Sequence, residues 1–231
     1  DGKSKEAPAV TPKAYKIGDS VTLKDGTTWH VIEASDSNTE TVTLFADKNI
    51  KNDASGWTTI EDEYKIVFDE ANARTKEKNS YCTTPVYGCN IYAANGSTVT
   101  EDSTIKKFID SSVTTYINNS LTSVGGTTIK SIRLITADEI CNIINNADSS
   151  NNCTIDNANY GSNGNKMLIG VFTNVPTWLH STHYWTITPY ASDFHSVFGV
   201  SAASFFISCS ASFGDTYGTR PVIVTLKSNI N

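Results

Sequence analysis

Hydrophobic and polar positions begin to alternate at Tyr15. Val21 and Leu23 flank one polar residue, and the turn signal Lys24-Asp25-Gly26-Thr27 follows. Trp29 and Val31, then Val42 and Leu44, resume the alternation on either side of an Asp/Ser/Asn break. A period of two punctuated by turn residues predicts a meander of three short strands. Residues 64–68 offer a fourth, and residues 69–100 sustain no period and read as loop. The period then changes. Ile105, Phe108, Ile109, Val113, Tyr116, Ile117 and Leu121 recur at helical spacing, which predicts a helix of about five turns. Gly125-Gly126 ends it. Thr136 and Glu139 form a Thr-x-x-Glu capping signal for a second helix, with Ile140, Ile143 and Ile144 as its apolar face. From Met167 the pattern is extended again: Leu168, Val171 and Phe172, then 184–187, 197–200, 205–207 and 222–226. Strands, two helices, then strands indicate an α+β fold, not alternating βαβ units. The expectation is two helices on a small, mostly antiparallel sheet with long irregular C-terminal segments.

Composition narrows the function. The 231 residues include 18 basic and 24 acidic ones, a net charge of −6. This balance argues against nucleic acid, which calls for basic clusters that displace counterions. No apolar run approaches the ~20 residues of a membrane helix, so no membrane span is expected. The polar start at Asp1 reads as lacking a signal peptide. Residues 1–14 hold two prolines, three lysines and no aromatic ring before Tyr15, and read as a flexible linker to a single domain over 15–231.

Cys82 and Cys89 bracket one short loop, Cys141 and Cys153 another, and Cys209 is left over. Two local disulfides suit an oxidising compartment, whereas five buried thiols would suit a cytosolic one. Zinc is not expected, because no Cys-x-x-Cys pair occurs. His180 and His183 stand three apart, and on an extended segment they would point to opposite faces, so no metal role is expected. Phosphate-loop, dinucleotide, nucleophile-elbow and zinc-protease motifs are all missing, and the carboxylates are scattered singly. No catalytic residue and no cofactor are implied.

The unusual stretch is 186–219. Its only charges are Asp193 and Asp215, and it contains no Lys, Glu, Gln, Met or Trp. Those five types make up 29 of the 231 residues, so a window of this length should hold about four. Instead it mixes Tyr190, Phe194, His195, Phe198, Phe205, Phe206, Phe213 and Tyr217 with Ser, Ala and Gly. Aromatics among small polar residues are the composition of adaptable binding surfaces. A pair of buried strands joined by Ser-rich turns is the alternative.

Four segments carry a family resemblance: YKIGDSVTLKDGTTWHVIEASDS…TVTLFAD over 15–47, IRLITADEI over 132–140, YWTITPYAS over 184–192 and YGTRPVIVTLKSNI over 217–230. Together they resemble the C-type-lectin-like domains of bacterial surface and phage proteins. The formylglycine-generating enzyme and the target proteins of diversity-generating retroelements share that fold. In those targets, adenines of Asn codons are randomised, and the resulting codons cannot encode Lys, Glu, Gln, Met or Trp. The resemblance therefore implies a non-catalytic ligand-binding or adhesion domain with a hypervariable surface at 186–219. It also implies a place on a cell surface or phage particle, whether bacterial or archaeal. The expected partner is a protein or glycan on another cell or host surface, met by a monomeric domain. The implied ligand residues are Tyr190, Phe194, His195, Phe198, Gly199, Ser201, Ala202, Phe205, Ile207, Ser208, Cys209, Ser210, Ser212, Phe213 and Asp215. All but the glycine and the cysteine are expected to be largely exposed on one face, with Cys209 unpaired. Trp185, Pro189, Val197, Val200 and Arg220 would hold the backbone, with Val197, Val200 and Phe206 pointing inward and Arg220 buried against backbone carbonyls or a carboxylate. Two readings compete. One is a fixed-sequence lectin or adhesion module of the same fold, although no calcium-site tripeptide occurs. The other is a formylglycine-generating-type enzyme, although Cys209 stands alone in the C-terminal region.

Overall fold

The computed structural model describes residues 13–69, 102–155, 168–170, 172–189, 196–202, 206–211 and 216–231. Among them, eight strands have three residues or more: β1 (Ser20–Thr22), β2 (Thr28–Glu33), β3 (Thr41–Ala46), β4 (Ser131–Arg133), β5 (Tyr184–Pro189), β6 (Ser196–Ser201), β7 (Phe206–Ala211) and β8 (Val222–Leu226). The two longer helical segments are α1 (residues 104–123) and α2 (Ala137–Ala147). The chain is α+β, as the order of periodicities implies.

Strands β1, β2 and β3 form the expected antiparallel meander, with Val21 opposite Trp29 and Trp29 opposite Ala46. The C-terminal strand β8 pairs with β3 and, on its other side, with β4, giving a five-stranded antiparallel sheet in the order β1-β2-β3-β8-β4. Alternate residues feed two cores. Trp29, Val31, Leu44 and Ile223 pack with the α1 residues Ile105, Ile109, Val113, Ile117 and Leu121. Ile32, Phe45 and Val222 pack with the α2 residues Ile140, Ile143 and Ile144. The helices thus cover opposite faces. This is why β2 and β3 carry long buried runs and not a clean alternation of buried and exposed residues.

The buried residues of α1 recur every four positions, which drifts off one face of a helix with 3.6 residues per turn. A π segment at Ile109–Val113 takes up part of that drift with its wider turn. Ser103 caps the helix by accepting from Lys106 N at 3.2 Å. Gly125 ends it at φ +77°, a left-handed conformation suited to glycine, and Gly126 N donates to Leu121 O at 2.8 Å. The capping box of α2 is present on both sides: Glu139 N donates to Thr136 Oγ1 at 3.1 Å and Thr136 N to Glu139 Oε2 at 2.8 Å.

Some expectations are corrected. Residues 61–64 form a helical turn, and only Ile66–Val67 is extended, paired with Thr216–Tyr217. His180 ends a 3-10 turn, Thr177–His180, so it does not lie on an extended segment. Strand β4 has no signal of its own, being three residues long with an exposed first position. Most of the 1–14 linker and nearly all of the 69–100 loop lie outside the described residues, as does the Cys82–Cys89 pair.

Cys141 and Cys153 form a disulfide at an S–S separation of 2.14 Å, closing the loop after α2. Both are buried in the second core, at 5% and 3% exposure. Replacing both with alanine should lower stability by about 2–3 kcal/mol, because the open chain regains loop entropy. Urea denaturation of the variant reads this directly. A loss below about 0.5 kcal/mol would show that the bridge is not a stabilising element.

Candidate functional site

The expected ligand region centres on the three-stranded antiparallel sheet β5-β6-β7. Strand β6 lies in its middle and is covered on both faces. Val197 joins the first core at 1% exposure, while Phe198 and Val200 join the second at 0%. The buried Thr186 hydroxyl donates to Phe198 O at 2.9 Å. Tyr217 lies over Gly199 so closely that an added Cβ would come within 2.1 Å of its ring. Tyr217 also packs against Trp185 at a centroid distance of 4.8 Å and against His183 at 5.6 Å. The Trp185 indole donates to Ile66 O at 2.9 Å.

The expected framework residues Trp185, Val197, Val200 and Arg220 are buried. Two implied ligand residues are corrected. Phe198 is fully buried, because the middle strand of this sheet has a core on each side. Gly199 is covered by Tyr217 and presents nothing outward. Ser201 and Ala202 are half-buried, at the end of β6 and in the turn after it. Ile207, Ser208, Cys209 and Ser210 lie on β7, in register with Val200, Gly199, Phe198 and Val197. Cys141 and Cys153 bond to each other, so neither is available to Cys209. Tyr190, Phe194, His195, Phe205, Ser212, Phe213 and Asp215 lie outside the described residues. Sequence reasoning missed the half-buried rings of His183 and Tyr217 beside β6. Their signal was the glycine at 199, which leaves room for a ring above the strand.

Arg220 ties the start of β8 to β3 and to the 177–180 turn. It is fully buried. Nε and an Nη donate to Ala46 O at 2.9 and 2.7 Å, and the other Nη donates to Trp178 O at 2.8 Å. Its guanidinium carbon sits 4.3 Å from the Phe45 ring centre and 4.9 Å from that of Tyr184. Burial draws its pKa down to about 10, which leaves it cationic at neutral pH. Tyr184 in turn donates to Leu179 O at 2.7 Å. Among the described residues, no group of three or more His, Cys, Asp or Glu side chains could hold a metal ion.

No family model, no curated protein and no solved structure matches this chain.

Beside this clamp, the His30 ring stacks on Trp178 at 4.0 Å, and its Nε2 is 2.9 Å from Asp47 Oδ1. Burial is the main cause holding its pKa below the usual 6.5, and Arg220 adds to it, while the Asp47 contacts oppose. A lowered folded pKa means that the unfolded chain takes a proton first as pH falls. The His30 contribution is therefore complete above pH ~6.5 and is lost below it, until the folded ring also protonates. The denaturation midpoint should fall more between about pH 7 and about pH 5 in the native chain than in His30→Gln. Equal slopes would show that His30 does not report on this pocket.

Proposed function

We propose that the chain is a non-catalytic ligand-binding domain whose binding surface is built on β7 and the segments flanking it, with β5 and β6 as a fixed floor. The observation that carries this reading is the contrast inside 186–219. Inner-strand positions are locked by two cores and by Tyr217, yet the window around them lacks five residue types altogether. Core packing alone would not exclude Lys, Glu and Gln from the rest of the window as well. Codons randomised at adenines would exclude them everywhere. On this reading the fold is of the C-type-lectin type, diversification is by a retroelement, and the partner is a protein or glycan at a cell or particle surface. The buried Cys141–Cys153 bridge supports an extracellular setting.

Sequencing the DNA that flanks the gene tests the diversification. The expected result is a second copy of the 186–219 coding stretch, differing only where it carries adenines, near a reverse transcriptase. A flank without such a copy would leave a fixed-sequence adhesion module as the better account.

A further inference from the structure

A cleft of about 250 Å³ opens beside the β1–β2 turn, and Asp25, Thr27, Asp47, Lys48 and Trp57 are among the residues that line it. Backbone pairing assembles it. Asp47 N donates to Thr28 O at 3.2 Å, which sets residues 47–48 against the turn. Asn49–Ile50 then pairs with Trp57–Thr58, which brings Trp57 back to the same place. The two carboxylates are oriented in advance. Asp25 Oδ1 accepts from Thr27 N at 3.1 Å and from Thr27 Oγ1 at 2.6 Å, and Thr27 Oγ1 accepts from the Trp29 indole at 2.7 Å. Asp47 Oδ1 lies 2.9 Å from Nε2 of the buried His30. Each acid thus has one oxygen anchored and makes no hydrogen bond through Oδ2 to the described residues. Lys48 is exposed and forms no ion pair with them. Trp57 is fixed edge-on to Trp29 at 5.4 Å and to Tyr116 at 6.2 Å. Its indole N–H is buried and has no hydrogen-bond partner among the described residues.

We propose that this cleft binds a small free α-amino acid in its zwitterionic form. The open groups select the ligand. Two open carboxylate oxygens call for a cation, and an ammonium brings three donors to them. Lys48 and the orphan indole N–H call for the opposite, an acceptor with several lone pairs, which a carboxylate supplies. A simple amine would satisfy the acids and leave Lys48 and the indole unanswered. A simple anion would satisfy those two and face both carboxylates. An α-amino acid carries the two charges on one carbon and brings no net charge with it. Hydrogen bonds between ionised partners are the strong kind. A buried donor such as the Trp57 N–H gains from any acceptor, because going without one is costly. The half-buried Trp57 ring gives the ligand's side chain an apolar wall. The volume lies below the roughly 300–1,000 Å³ of sites for larger small molecules, which limits that side chain to a short one. This site shares no residue with the proposed variable surface, so it stands or falls separately from it.

The test titrates the full chain with glycine, alanine, serine and threonine, and with methylammonium and acetate as single-charge controls, followed by saturation-transfer NMR. At least one amino acid should bind with a Kd of roughly millimolar order, and both controls should bind about tenfold more weakly or worse. Asp25→Asn, which keeps Oδ1, and Lys48→Met, which keeps the aliphatic stem, should each weaken that amino acid about tenfold without shifting the melting temperature. Binding of no amino acid would overturn the proposal. So would binding at full strength in either variant, which would place the ligand elsewhere. Methylammonium binding as tightly as the best amino acid would assign the cleft to plain amines and also overturn it.

Discussion

Arg220→Ala should destabilise the domain by about 3–5 kcal/mol, through carbonyls left without donors and the cavity left by a large buried side chain. The cost arises on both sides of the contact. Ala46 O loses two donors in a buried setting, and Trp178 O loses one in a part-buried setting. An unpartnered buried carbonyl costs about 1–3 kcal/mol. The space left against Phe45 and Tyr184 adds to this, because both rings lose the cation packed on them. Arg220→Lys should not rescue it. A point-charge ammonium cannot place paired donors on one carbonyl while reaching a second, and it is harder to strip of water. Urea denaturation reads both variants. A loss under about 1 kcal/mol in Arg220→Ala would mean that the clamp is not what ties β8 to β3 and to residues 177–180.

Phe198→Ala should cost about 3–5 kcal/mol, the usual range for emptying a buried aromatic site. Phe198 is 0% exposed and packs in the second core with Tyr184, Ile135 and Val200. Gly199→Ala should also destabilise, for a different reason: its Cβ would meet the Tyr217 ring at 2.1 Å, and Tyr217 is itself held against Trp185. Displacing that ring uncovers the strand. Circular dichroism melts of both variants measure the effect. If Phe198→Ala melts with the native protein, the side chain belongs to the surface after all.

The sequence reading points Val197 and Val200 inward together and Phe198 outward, whereas residues three apart on a strand face opposite sides, and here both sides are covered. One face meets the first core and Tyr217, the other meets Ile135 and α2, and both covers come from residues distant in the chain. The meander and the helices were legible because their signals are local. Strand pairs within reach of a turn, a Thr-x-x-Glu cap and Gly125-Gly126 each act over a few residues. Arg220 was legible as well, since one arginine next to Pro221 before an apolar strand has few places to go. The insertion of β8 between β3 and β4 was not legible, because nothing local marks a partner more than 80 residues away. The cleft at Asp25 and Asp47 was hidden for the same reason. In sequence, Lys24-Asp25-Gly26-Thr27 is only a turn, and folding brings Trp57 beside it.

The most direct test of a fixed floor under a permissive surface is a paired substitution library displayed on cells and sorted for folded protein at raised temperature. One half randomises Ile207, Ser208, Cys209, Ser210, Ser212 and Phe213; the other randomises Trp185, Val197, Phe198, Gly199, Val200 and Arg220. The account predicts that most members of the first half stay folded and that nearly all of the second half are lost. Equal depletion of the two halves would contradict it, and would return 186–219 to ordinary core.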